Sequence, residues 1–99
     1  MRPHIIQQTA KRDLAHARDW YDLQRAGSGL RFIKEFGKTL KSVCRSPESY
    51  PIWGELPYRF AMLKQFPYSM LFEVRDDIVV IYGVLHDSMD EARWLNRLP

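Results

Sequence analysis

A chain of 99 residues, 45% of them hydrophobic and 27% charged, predicts one folded domain spanning residues 1–99 and is too apolar to be disordered. The net charge of +3 arises in the N-terminal half, because residues 1–50 hold ten basic and five acidic side chains while residues 51–99 hold five and seven. This asymmetry favours association with an acidic protein partner or with nucleic acid, but it does not indicate a fold.

The first half of the chain predicts a short strand followed by a helical hairpin. Pro3–Gln8 contains two isoleucines and is predicted as an edge strand, where proline is tolerated. Thr9 is the expected N-cap of a first helix, which Gly27 ends, and Ser28 is the expected N-cap of a second helix, which Pro47 ends. Apolar residues at helical spacing define both helices, namely Ala10, Leu14, Ala17 and Tyr21 in the first and Ile33, Phe36, Leu40 and Val43 in the second.

The second half predicts a loop, three strands and a short helix. Residues 46–57 carry three prolines and one glycine and are predicted as a loop, held to the body by Ile52, Trp53 and Leu56. From Arg59 onward, β-rich runs separated by Phe66-Pro67 and Asp76-Asp77 predict an antiparallel meander. Its last run, Ile78–Leu85, is apolar on both faces. It is expected to be the central strand, or one with helices against one face and a partner or the C-terminal tail against the other. Ser88–Glu91 has the pattern of a capping box for a final short helix.

The predicted fold class is therefore α+β. A small antiparallel sheet, made of the N-terminal strand and the C-terminal three-stranded meander, is packed by an α-helical hairpin, and a short C-terminal helix follows.

Five basic residues recur at helical spacing on the second helix. They step by three or four residues, which confines them to one narrow arc: Arg31, Lys34, Lys38, Lys41 and Arg45. This basic stripe is either a solvated helix face or a docking surface for an acidic segment or for phosphates. Because no acidic residue falls within this arc to relieve the repulsion between the cations, a partner is slightly favoured.

Several residues of the second half have both a structural and a functional interpretation. Arg59 opens the first strand of the meander and either pairs with Glu73 or a helix C-terminus, or belongs to a binding site. Lys64, five residues on, points to the opposite face of a regular strand. His86 ends the last strand, where a structural hydrogen bond is favoured over acid, base or phosphate-binding roles. Trp94 is favoured as an anchor of the final helix.

The sequence predicts neither a cofactor nor a metal site. His86 and Asp90 make only a weak metal pair, and no phosphate-binding glycine loop or cysteine zinc pattern is present. The single Cys44 indicates a buried thiol in a reducing compartment. No signal peptide is predicted, and the apolar runs are far shorter than the ~18 residues of a membrane helix. A cytoplasmic protein that does not engage membranes is therefore expected.

A characteristic order of residues runs through the whole chain. After the segment AKRDLAHARDWYDLQ come an arginine, a leucine four residues later, Phe-Pro-Tyr, a strand closed by histidine, and a tryptophan: Arg59, Leu63, Phe66-Pro67-Tyr68, Val84, His86 and Trp94. This order resembles the RelE/ParE superfamily of small toxins from bacterial toxin and antitoxin pairs. The resemblance implies a small antiparallel sheet packed by a helical hairpin, and inhibition by an antitoxin that wraps the toxin.

The superfamily has two functional branches. RelE-like members cut messenger RNA in the ribosomal A site, where cations stabilise the charge that builds on the scissile phosphate. Asp87 and Ser88 stand where those members tend to carry arginine, and no tyrosine follows Tyr82. If the chain were a nuclease, Arg59, Lys64 and His86 would form its site. ParE-like members lack nuclease residues and poison DNA gyrase by binding it.

The N-terminal helix, Phe-Pro-Tyr and the terminal Trp with Arg97 resemble the ParE-like branch more closely. The resemblance implies a binding poison without catalytic residues, and no sequence-specific DNA binding by the toxin alone. Two surfaces follow as hypotheses: the basic stripe for the antitoxin, and a target surface of Arg59, His86, Arg93, Trp94 and Arg97. The alternatives are a RelE-like endonuclease that acts on the ribosome and a binding module that kept the fold and lost toxicity.

Overall fold

The structure, a computed structural model, describes all 99 residues. The elements follow in the order β1 (His4–Ile6), α1 (Gln8–Gln24), α2 (Ser28–Arg45), a 3-10 turn (Pro47–Ser49), β2 (Tyr58–Met62), β3 (Tyr68–Arg75), β4 (Ile78–His86) and α3 (Glu91–Leu95). The predicted α+β architecture, with an N-terminal strand, a helical hairpin, a three-strand meander and a short final helix, is confirmed. None of the helices combines the length and the apolar character that a membrane span requires.

The sheet has the order β1-β4-β3-β2. The meander pairs are antiparallel, as predicted, whereas β1 runs parallel to β4 with Ile5 opposite Val80. The sheet is therefore mixed and not wholly antiparallel as the sequence predicted. β4 lies between β1 and β3 and is buried from Val79 to Leu85, as its apolar composition on both faces predicts.

A bulge in β4 adjusts which side chains reach each face of the sheet. Leu71 lies opposite Gly83 while Phe72 lies opposite Ile81, so Tyr82 has no direct partner on β3. The extra residue lets Ile81 and Val84, three positions apart, both enter the core under the helical hairpin. Leu85 enters a smaller core on the opposite face with Leu71 and Trp94.

The main core lies between the sheet and the hairpin. Phe32, Phe36 and Val43 of α2 are buried there with the strand side chains. The predicted burial of Cys44 is confirmed. Aromatic rings close the hairpin end of this core, where Tyr21 stacks on Phe32 with ring centroids 5.5 Å apart.

The helix starts differ from the sequence prediction. Thr9 lies inside α1, and its hydroxyl donates to the Tyr82 carbonyl at 3.0 Å instead of capping the helix. Gly27, with φ of 89°, occupies the N-cap of α2, and Asp22 of α1 accepts from the Gly29 N–H at 2.8 Å. At α3 the cap is Asp90, which accepts from the Arg93 N–H at 3.0 Å, so the predicted capping box from Ser88 was wrong.

Most of residues 46–57 form a loop as predicted, but two of the three side chains expected to hold the loop to the body are exposed. The segment includes the 3-10 turn and a bridge from Ile52 to Arg59. Trp53 packs on the smaller core, but Ile52 and Leu56 are exposed. Only one of the three apolar side chains expected to hold the loop therefore does so.

Candidate functional site

Arg59 has a structural partner. It lies on β2, and its guanidinium donates to the carbonyls of Tyr50 at 2.7 Å and Glu48 at 3.5 Å. These acceptors belong to the chain around the 3-10 turn, so the arginine closes that turn onto the sheet. The alternative pairing with Glu73 is not formed, because Glu73 is opposite Tyr58 and is bound elsewhere.

The three residues of the hypothetical nuclease site lie apart. Arg59 is opposite Phe72 on β3, whereas His86 is opposite Tyr68, which is four residues and about 13 Å further along the strand. Lys64 follows β2 and lines a groove beside α2. His86 instead lines a cavity beside α1.

His86 is oriented by its immediate neighbours. Its Nδ1 accepts from the Ser88 N–H at 3.0 Å and lies 2.7 Å from the Ser88 hydroxyl, and its ring meets Tyr68 edge to face at 5.1 Å. These contacts match the structural role favoured from the sequence. The cavity beside it has a volume of about 390 Å³ and is lined by Trp20, Tyr21, Pro67, Tyr68 and His86.

Trp20 is a surface residue that the sequence reasoning missed. It is 53% exposed, lies outside the apolar face of α1, and contacts Tyr21 edge to face at 5.0 Å. The signal that points to it is a large aromatic residue placed off the core-facing periodicity of its helix.

The C-terminal candidates differ in their exposure. Trp94 is only 7% exposed, stacks on Trp53 with ring centroids 5.7 Å apart, and packs on the sheet, as an anchor should. Arg97 pairs with Asp13 of α1, and its side chain is 25% exposed. Arg93 is exposed and forms no ion pair. Arg93 is thus the free cation of this group.

The basic stripe is exposed along its whole length. None of its five residues forms an ion pair with a carboxylate. Arg31, Lys34 and Lys38 line a cavity of about 160 Å³ next to Phe66, and Lys38 also lines the larger groove with Lys64. Glu35 is the one carboxylate that lines both. Unpaired like charges along one helix face produce a positive potential that attracts an acidic ligand.

Two carboxylates hold the fold together in ways that the sequence did not predict: Asp13 was not singled out, and Glu73 was considered only as a partner of Arg59. Asp13 accepts from the Val84 N–H at 3.0 Å while pairing with Arg97. Glu73 is buried and accepts from the Tyr82 hydroxyl, and burial followed by this bond raises the pKa of Tyr82 well above its ordinary range. A lone carboxylate inside an apolar strand was the available signal for Glu73. Nowhere do three or more His, Cys, Asp or Glu side chains converge as a metal site requires.

Among solved structures, the chain is similar to the chromosomal ParDE TA system from P. aeruginosa, with a TM-score of 0.76 and 17% identity over 87% of this chain and 96% of that chain. It is also similar to the isolated E. coli RelE toxin, with a TM-score of 0.63 and 18% identity over 97% and 95% of the two chains. For the E. coli RelBE toxin-antitoxin complex the TM-score is 0.60 and the identity 19%, over 85% and 94%.

At these identities the structural likeness shows a shared fold. No curated protein matches the chain. A family model described as ParE toxin of type II toxin-antitoxin system, parDE, matches residues 5–91. Because that match spans most of the chain, from β1 into α3, the protein belongs to the ParE toxin family of type II toxin-antitoxin systems.

Proposed function

We propose that this ParE-family toxin arrests bacterial growth in the cytoplasm by binding DNA gyrase, without catalysis, and that a cognate antitoxin neutralises it. The observation that carries the non-catalytic part is the separation of Arg59, Lys64 and His86. Cleavage of RNA by attack of a 2'-hydroxyl requires several cations around one phosphate. Here the guanidinium of Arg59 is bound to backbone carbonyls, and the other two side chains line different cavities.

The proposed target surface lies around α3 and the loop before β2. Arg93 supplies a free cation, and Leu95, Leu56 and Ile52 are exposed apolar side chains. A cavity of about 300 Å³ between these segments is lined by Trp53, Tyr58, Leu95 and Leu98, with Gly54, Glu55 and Glu91. Apolar side chains next to a free arginine are typical of protein interfaces. Trp94, stacked on Trp53, lies beneath this surface. Arg97 instead pairs with Asp13 of α1, and His86 lines a different cavity.

The basic stripe is the proposed antitoxin contact. Its five cations are exposed and unpaired, and an acidic segment would relieve their repulsion. The stripe lies on the hairpin side of the sheet, whereas α3 packs on the opposite face. Antitoxin and target are therefore assigned to different faces.

The test is tightly controlled induction of the chain in bacteria, with growth and RNA 5' ends recorded together. We expect growth arrest without new cuts at fixed codon positions, and loss of supercoiling activity when the purified chain is added to DNA gyrase. New cuts would replace the binding poison with the RelE-like endonuclease alternative. Normal growth would favour a non-toxic binding module of the same fold.

A further inference from the structure

A second cavity lies beside the one in the proposed target surface. It has a volume of about 310 Å³ and is lined by residues of the loop before β2, of the turn after β4 and of α3: Trp53, Gly54, Asp87, Met89, Glu91 and Trp94. Three of these residues, Trp53, Gly54 and Glu91, also line the neighbouring cavity. The side at Gly54 is open, because an added Cβ there would meet nothing within 4 Å. A ligand can therefore enter from the loop side.

Stacked aromatic side chains form one wall of this cavity. Trp53 lies on Trp94 with ring centroids 5.7 Å apart and ring planes inclined by 14°, and Phe60 meets Trp94 edge to face. Trp94 is buried, whereas Trp53 is partly exposed. This packing holds the indole of Trp53 in place at the surface. The π electrons of an indole attract a cation that lies over the ring.

Two carboxylates line the same cavity without a cationic partner. Asp87 accepts from the Ser69 hydroxyl at 2.7 Å, and neither Asp87 nor Glu91 forms an ion pair. Two neighbouring acidic residues, Glu55 and Asp90, are also exposed and without an ion pair. Unpaired carboxylates beside an aromatic wall produce a negative potential that attracts a cation.

The arginines of this region do not neutralise the cavity. At 3.6 residues per turn, Arg93 lies about 160° around α3 from Glu91, so the two side chains leave the helix on opposite sides. Arg97 pairs with Asp13 of α1. The carboxylates of the cavity are therefore left for a cation that comes from another molecule.

We propose that this cavity binds an arginine side chain of a protein partner, whose guanidinium stacks on the Trp53 indole and pairs with Asp87 and Glu91. The inference rests on the proposed function for the identity of the partner, which is then DNA gyrase. A guanidinium suits both kinds of wall, because its plane stacks on aromatic rings and its N–H groups donate to carboxylates in pairs.

Other classes of ligand fit this cavity less well. The phosphates of a nucleic acid would be repelled by the carboxylates. Nowhere do three or more His, Cys, Asp or Glu side chains converge as a metal site requires, and an indole supplies no metal ligand. A lysine ammonium would be attracted as a point charge, but it lacks the plane that stacks on an indole.

The first test is an NMR titration of the purified chain with the blocked tripeptide Gly-Arg-Gly. We expect the indole N–H signals of Trp53 and Trp94 to shift and to saturate. Trp20, the third tryptophan of the chain, lines a different cavity, so its signal should stay in place. A matched peptide with citrulline for arginine keeps the shape without the charge, and should bind at least about tenfold more weakly.

Variants test whether the same cavity contacts the target. Glu91→Gln and Asp87→Asn each remove one charge, and the new amide at position 87 keeps an oxygen for the Ser69 hydroxyl. We expect each to weaken binding of the purified chain to DNA gyrase about tenfold or more, because a hydrogen bond between charged groups is lost. Asp76→Asn, exposed in the turn between β3 and β4, is the matched control and should bind as the unaltered chain does.

The outcomes separate this inference from the function on which it rests. Gyrase binding that Glu91→Gln and Asp87→Asn leave unchanged overturns the arginine site and keeps the target. Saturable shifts of Trp53 and Trp94 in a chain that does not bind gyrase support the arginine site and overturn the target. Equal shifts with the citrulline peptide, or none with either peptide, overturn the cation site. Tighter binding of spermidine than of the arginine peptide would replace the protein side chain with a free polyamine.

Discussion

At the scale of single residues, Asp13 joins three parts of the molecule. From α1 it accepts from the buried Val84 N–H on β4 and pairs with Arg97 after α3. We expect Asp13→Ala to lower the free energy of unfolding by about 2–3 kcal/mol, because a buried amide loses its acceptor. Urea unfolding at pH 7 measures this loss.

Asp19→Ala is the matched control on the same helix. Its ion pair with Arg18 is 3.0 Å long, and the side chains are 48% and 64% exposed, so we expect a change below about 0.5 kcal/mol. Equal losses for the two variants would mean that the Asp13 contacts contribute no more than a surface pair.

Tyr82 makes the free energy of unfolding depend on pH in the alkaline range. Burial raises the pKa of its hydroxyl, the hydrogen bond to Glu73 raises it further, and burial also raises the pKa of Tyr21 and Tyr68. Because the folded state then holds these protons more tightly than the unfolded chain, the stabilisation is complete below about pH 10 and is lost as the pH rises further.

The variant Tyr82→Phe isolates one of these groups. We expect it to be less stable at pH 8, because Glu73 loses a donor in a buried position. Its free energy of unfolding should then fall less steeply above about pH 10 than that of the unaltered chain. Urea unfolding from pH 8 to 11 compares the two, and parallel curves would remove Tyr82 as a source of the alkaline loss.

At the scale of elements, two glycines of α2 differ sharply in their surroundings. A Cβ on Gly29 would lie 2.5 Å from the Arg18 carbonyl oxygen of α1, whereas a Cβ on Gly37 would meet nothing within 4 Å. We expect Gly29→Ala to destabilise the fold by roughly 3 kcal/mol, because the helices must separate. Gly37→Ala should stabilise it by about 0.5–1 kcal/mol through helix propensity. Thermal and urea unfolding measure both, and similar effects would contradict close packing at the hairpin.

The helix hairpin and the meander were predictable because their signals are local. Apolar spacing marked α1 and α2, and the uninterrupted apolar run of β4 marked the central strand. What the sequence did not predict depends on distant partners. Thr9 resembles a cap but bonds the Tyr82 carbonyl, 73 positions away, and Asp22 caps a helix other than its own. Prediction of the candidate site from the sequence was limited in the same way, because the fold and not the local sequence sets the partners of Arg59 and Arg97.

At the scale of the whole molecule, the sheet separates two proposed interaction surfaces. The hairpin with its basic stripe packs on one face, and α3 with Arg93 packs on the other. A surface charge can be reversed on either side without disturbing the main core, since the side chains of Lys34, Lys41 and Arg93 are all exposed. We therefore expect the proposed function of one face to be separable from that of the other by mutation.

This separation predicts opposite phenotypes for two exposed charge reversals. Arg93→Glu should weaken growth arrest and still co-purify with the antitoxin, because the basic stripe is intact. Lys34→Glu/Lys41→Glu should arrest growth fully yet resist neutralisation, with antitoxin affinity reduced about tenfold. Growth under separate induction of toxin and antitoxin, with affinity measured on the purified pair, tests both variants. The free energy of unfolding in urea should change by less than about 0.5 kcal/mol for each. If Arg93→Glu arrested growth as the unaltered chain does, the α3 surface would not be the one that binds the target; if it lost the antitoxin as well, the two surfaces would be one.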